Sequence, residues 1–168
     1  MTFKIRERHF LKSKLIKQLQ DKVQKNFLLD PYTIIPKNSQ IEYIRGEELA
    51  IYAINKRVMF IEFKDTLLPS LQAMIEDLIT LPKVTVDKGA IPYVTKGAQI
   101  MVPGITKVDP EIKKGDYVVI IDEIYNKPIA IGKSLMDSEE IESLNKGKAV
   151  KNLHYVGDKI WNFIKQLE

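Results

Sequence analysis

Between residues 88 and 103 the chain concentrates residue types suited to a sugar-phosphate strand. Lys88-Gly89-Ala90 and Lys96-Gly97-Ala98 repeat one arrangement, a lysine followed by two small residues. Small side chains let an RNA backbone approach closely, main-chain amides can meet phosphate oxygens, and the lysines supply charge. Gln99 offers a donor and an acceptor to a base edge, and Met101 offers an adaptable apolar surface or a core residue. The same stretch has an architectural explanation, with Asp87 capping a helix start and Gly97 stopping it. Spacing alone favours that second explanation.

Other groups offer less. Tyr93, Tyr117, Tyr125 and Tyr155 are candidate platforms for stacked bases, yet each sits in a periodic apolar setting that favours packing. Gly132-Lys133-Ser134 copies the end of a phosphate-binding P-loop, but Lys127 stands where the earlier glycine belongs and Pro128 spoils the turn. Asp122 and Glu123 are adjacent, so on a strand they point to opposite faces, and a solvated hairpin end explains them. The chain has no cysteine, which removes disulfides, thiolate zinc sites and a cysteine nucleophile, and makes an intracellular compartment the easier reading. His154 has no second histidine near it and reads as structural or surface. No catalytic residue, no metal and no cofactor is expected.

These residues need elements to hold them. Leu11, Leu15, Ile16, Leu19 and Val23 recur at helical spacing with Lys12, Lys14, Lys17 and Lys22 on the other face, which predicts a cationic amphipathic helix over residues 10–23. Residues 30–38 read as loop, followed by strands over 41–44, 49–55 and 58–63. Residues 67–81 return to helical spacing, with Pro69 in the first turn and Pro82 as stop and domain boundary. Beyond it, short strands at 84–86, 99–102, 117–122, 128–134 and 150–156 have the rhythm of a small β-barrel. One helix opens at Asp137, with Glu140 completing a capping box, and ends near Gly147; another starts at Asp158.

The run VDKGAIPYVTKGAQIMVPGI at residues 86–105 resembles the opening of a PUA domain, and Gly115-Asp116-Tyr117-Val118 and Ile129-Ala130-Ile131-Gly132 follow in the expected order. Together with SEEIESLNKG at 138–147, Asn152-Leu153-His154-Tyr155, Asp158 and Trp161, it is similar to the malignant T-cell-amplified sequence family, its archaeal members above all. Residues 1–80 echo that family's pre-PUA module in the order of their elements. The resemblance implies an α+β fold: a basic pre-PUA α/β module over residues 1–82 and a PUA pseudo-β-barrel over 83–168. It also implies binding of structured RNA through the first helix of the barrel and the loop after it. The RNA-binding set is then Lys88, Gly89, Ala90, Lys96, Gly97, Ala98, Gln99, Met101 and Pro103. One departure is Pro92, which would remove a backbone donor unless the short helix starts at Gly89 or later.

Charge agrees with a polyanion partner. Residues 1–25 hold eight of the 26 Lys and Arg against Glu7 and Asp21, which leaves 18 basic and 20 acidic residues in the remainder. The lysine face of the first helix either grips rRNA or keeps an exposed helix solvated. The N-terminus lacks the apolar stretch of a signal peptide, and apolar runs such as residues 117–121 are too short for a bilayer, so a cytoplasmic protein without a membrane partner is expected. The functional expectation is a non-enzymatic RNA-binding protein. Its RNA is tRNA or small-subunit rRNA in translation initiation or ribosome recycling, and a ribosomal or initiation-factor protein is a further partner. Relatives in eukaryotes, the resemblance implies, act on the small subunit and initiator tRNA with density-regulated protein. The other reading is an RNA-binding accessory subunit for a tRNA-modifying enzyme of the pseudouridine or archaeosine type.

Overall fold

The first element is a strand that hydropathy does not announce, β1 (Glu7–Phe10), followed by α1 (Ser13–Phe27). The helix buries Leu19, Val23 and Phe27 and leaves Lys14, Lys17, Lys22 and Lys25 exposed, as its periodicity requires. A short helix, α2 (Pro31–Ile34), stands in the segment expected to be loop, because Asp30 accepts the Tyr32 amide at 3.0 Å and Pro31 occupies the first turn. Strands β2 (Ile41–Arg45), β3 (Leu49–Ile54), β4 (Arg57–Phe63) and β5 (Thr66–Pro69) complete an antiparallel meander in the order β1-β2-β3-β4-β5. In this computed structural model residues 3–167 are described.

The helix expected over residues 67–81 is much shorter. Leu67 and Leu68 are buried in β5, where Leu68 pairs with Ile61 and Pro69 with Phe60, and an edge strand tolerates the missing proline N–H. The helical part is α3 (Leu71–Ile75), opened by Ser70, whose hydroxyl accepts the Ala73 amide at 3.0 Å. Asp77 then turns left-handed at φ 57°, and the Leu78 amide closes onto the Ala73 carbonyl at 2.8 Å, a stop that apolar spacing does not reveal.

The second half builds a six-stranded sheet from β6 (Lys83–Val86), β7 (Ile100–Met101), β8 (Ile105–Val108), β9 (Tyr117–Asp122), β10 (Pro128–Ser134) and β11 (Lys148–Tyr155). Helix α4 (Ile91–Val94) lies between β6 and β7, α5 (Ser138–Ser143) between β10 and β11, and α6 (Lys159–Leu167) follows β11. The strand order is β7-β11-β10-β9-β6-β8, and only β6 with β9 is parallel. The two edge strands, β7 and β8, are consecutive in the chain and separated by a single 3₁₀ turn at Val102–Gly104, so the sheet curls into a nearly closed barrel. Val84, Val86, Ile100, Ile120, Ala130 and Val150 fill it. The capping box at Asp137 and Glu140 forms, but α5 stops at Leu144 in extended backbone, earlier than expected; Gly147 belongs to the turn into β11.

Two units result: Met1–Ile79 with Phe163–Glu168, and Thr80–Asn162. The start of α6 is counted with the barrel, and its buried Phe163 and Ile164 with the N-terminal meander.

Candidate nucleic-acid interface

The segment from β6 to β7 wraps one corner of the barrel and is fixed by side chains at both ends. The Asp87 carboxylate accepts the Ala90 amide at 2.9 Å, setting the turn that leads into α4. The helix begins at Ile91, so Pro92 sits in its first turn, where a missing N–H breaks no helical bond. At the other end Gly97 has φ 94°, and a Cβ there would stand 3.1 Å from the Tyr155 ring. Gly97 is therefore required by the fold. Gly89 is not: its φ lies outside the left-handed region, and a Cβ would meet only Asp87 Oδ1 at 3.4 Å.

Asn152 on β11 clamps the segment from beneath. Its side-chain nitrogen donates to the carbonyls of Val94 and Ala98, both at 3.0 Å, and its own amide donates to Gln99 Oε1 at 2.6 Å. That last bond commits the Gln99 oxygen to the protein. This role of Asn152 is not visible in the sequence, because its partners lie more than 50 residues away in the chain.

Between α4 and the 3₁₀ turn the surface opens into a groove of about 460 Å³. Six of the nine expected residues wall it: Gly89, Ala90, Ala98, Gln99, Met101 and Pro103. Lys88 and Lys96, both exposed, and the half-buried Gly97 lie outside the wall. Two findings alter the chemistry read from spacing. Amides contribute less, since those of Lys88, Ala90, Lys96, Gly97 and Ala98 already donate within the protein, Lys88 to Glu123 Oε1 at 3.0 Å. Among the described residues of this stretch the Gly89 amide has no partner. Aromatic surface contributes more, since Tyr93, assigned to packing by its apolar neighbours, lines the groove at 68% exposed; Tyr125 is 74% exposed. A four-residue helix is too short for periodicity to say which side chains face inward.

The arrangement suits a flat apolar group laid on Tyr93 and Met101, with anionic flanks reaching Lys88 and Lys96. Other polar clusters are committed to structure. His154 is fully buried and its Nδ1 meets Asp158 Oδ2 at 2.8 Å, while Asp158 also accepts the Tyr155 and Trp161 amides. Asp122 is 5% exposed rather than solvated, and accepts the Ile124 and Tyr125 amides to shape the hairpin. Among the described residues no group of His, Asp and Glu is placed to hold a metal ion, and no helix is long and apolar enough to cross a membrane.

Residues 82–156 match the PUA domain model, and residues 7–77 match a domain of unknown function, DUF1947. Translation machinery-associated protein 20 of Saccharomyces cerevisiae is 39% identical, the match covering 91% of this chain and 86% of that protein. Malignant T-cell-amplified sequence 1 of Rattus norvegicus is 30% identical, over 90% of this chain and 88% of its own length. The chain belongs to the malignant T-cell-amplified sequence family. A solved structure of a hypothetical protein from the archaeon Pyrococcus horikoshii OT3 superposes with a TM-score of 0.79 at 32% identity, covering 93% of this chain and 98% of that one. The groove thus lies in the PUA domain, at the corner formed by α4, β7 and the 3₁₀ turn.

Proposed function

We propose that this protein binds RNA through the α4 groove of its PUA domain and works without catalysis in the cytoplasmic translation machinery. The observation that carries the reading is the open groove in which Tyr93 is exposed beside a glycine the fold does not need. A base stacks on Tyr93 and Met101, its backbone passes Gly89, and Lys88 and Lys96 meet the phosphates. The RNA is tRNA or small-subunit rRNA in initiation or ribosome recycling, and the basic N-terminal module docks on the ribosome or a protein partner. The name of the yeast relative, translation machinery-associated protein 20, supports that setting.

The test is binding of tRNA and of a small-subunit rRNA fragment across a salt series. Lys88→Ala and Lys96→Ala should each flatten the salt dependence by about one phosphate contact. Tyr93→Ala should weaken binding by about 1–3 kcal/mol with the salt slope kept. Unchanged affinity in all three variants would sink the assignment.

A further inference from the structure

The N-terminal unit carries a second cleft, of about 370 Å³, on the meander face beside α1. Its floor is an aromatic row across three strands: His9 on β1 pairs in register with Tyr43 on β2, which pairs with Tyr52 on β3. The ring centroids are 5.5 and 5.3 Å apart. Two carboxylates line the same cleft. Glu7 is occupied by His9 at 3.0 Å and by Arg45 at 3.7 Å. Glu62, half-buried, accepts the Tyr52 hydroxyl at 2.9 Å and has no cationic partner among the described residues. Lys22 reaches the cleft from α1 but makes no ion pair with either carboxylate among the described residues.

A partly desolvated carboxylate set between tyrosine rings and satisfied only by a neutral hydroxyl favours a cation arriving from outside. The opposite wall, with Leu11, Leu15 and Leu19, provides apolar surface for a methylene stem. Guanidinium fits better than ammonium, since it is planar, stacks on tyrosine and meets a carboxylate with two parallel donors. The surface continues past one side chain. A neighbouring cleft of about 210 Å³ shares Tyr43 and Glu62 and adds Glu47, Glu48 and Asp65, against Arg45 and Lys64, so carboxylates outnumber cations in its lining. On a chain of net charge +4 this is a locally acidic trench, unsuited to phosphate and complementary to a basic polypeptide.

We infer that the Tyr43–Tyr52–Glu62 cleft of the N-terminal unit is a docking site for an arginine side chain carried by a basic segment of a partner protein. The site lies in the N-terminal unit, whereas the RNA groove lies in the PUA domain. The test titrates the full-length protein calorimetrically with a basic hexapeptide bearing a central arginine, with its lysine and citrulline counterparts, and with capped arginine alone. The arginine peptide should bind about tenfold more tightly than the citrulline peptide, and several-fold more tightly than the lysine peptide or capped arginine. Glu62→Gln and Tyr43→Leu should each weaken it by about fivefold or more, while tRNA affinity stays at the wild-type value. Equal binding of the citrulline peptide overturns the cation requirement, and equal binding of capped arginine overturns the peptide. Undiminished affinity in Tyr43→Leu overturns the site even if Glu62→Gln fails to fold. Loss of tRNA binding in the Lys88 and Tyr93 variants tests the other reading separately.

Discussion

Removing the side-chain amide of Asn152 leaves the Ala98 carbonyl without this donor and the Val94 carbonyl with the Gly97 amide alone, and keeps the backbone bond to Gln99. Asn152→Ala should therefore cost about 1–3 kcal/mol in urea unfolding, the penalty for stranding polar groups in a partly buried site. Because those carbonyls hold the turn that leaves α4, and Val94 and Ala98 line the groove, RNA affinity should fall as well, although Asn152 is not on the groove wall. Wild-type affinity in a destabilised Asn152→Ala would show that the clamp does not shape the groove. Tyr52 allows a second check. Burial first, and then its bond to Glu62, push its phenol well above the ordinary tyrosine value, and burial also raises Tyr43 and Tyr117. A proton held more tightly in the folded state contributes stability in full below the unfolded value, near pH 10, and that contribution is lost as pH climbs through the folded value. An alkaline absorbance titration should show a late-ionising class of tyrosines, and Glu62→Gln should bring Tyr52 earlier; ionisation of every tyrosine in one step near pH 10 would contradict it. At this scale residue type alone is enough to put forward lysines, small residues and Met101 as a candidate set, six of whose nine members wall one groove. It is not enough for Tyr93, since exposure depends on what packs above it, nor for Asn152, whose role depends on contacts distant in the chain.

Strands in the interior of each sheet and long amphipathic faces were readable; short edges were not. β9 and β10 are apolar runs bounded by turn residues, and α1 buries Leu19 and Val23 of its expected apolar face although Leu15 stays exposed. β1, β5 and β8 are four residues each, with three positions of β1 and two of β8 exposed, so their hydropathy has no period to detect. In β5 the buried leucines happen to fall at a spacing that continues into α3, which is why one helix was expected where a strand and a single turn of helix occur. Gly132 shows how an element's backbone can demand a residue that resembles a motif. It lies opposite Asn152 where the β10–β11 register shifts, and a Cβ there would be 2.5 Å from both the Lys151 carbonyl oxygen and Val150 Cγ1. Gly132→Ala should destabilise the barrel by about 1–3 kcal/mol, as overpacking against backbone does. It should also weaken RNA binding, by displacing the strand that holds Asn152. A neutral effect on stability would mean that β11 can shift without cost.

The N-terminal unit draws part of its core from α6. Phe163 and Ile164 are 1% and 0% exposed, and both are counted with the N-terminal meander although nearly the entire barrel separates them from it in sequence. The Phe3 and Phe163 rings meet edge to face at 5.5 Å, and Gln166 exchanges two hydrogen bonds with the Phe3 backbone at 2.6 and 2.8 Å. Truncating a buried phenylalanine to alanine costs about 3–5 kcal/mol, which is comparable with the total stability of a domain of this size. A fragment of residues 1–82 therefore lacks part of its own core, however well its strands pair. Produced alone, it should show no cooperative urea transition. Appending residues 159–168 through a flexible linker should restore one, and Phe163→Ala in the full chain should lower the transition of the N-terminal unit. If the bare fragment unfolds as cooperatively and at the same urea concentration as that unit in the intact chain, the last helix is dispensable to it. The consequence for function is a constraint on order. The N-terminal module cannot complete its fold until the PUA domain has been synthesised, because Phe163 and Ile164, which fill part of its core, follow that domain in the chain.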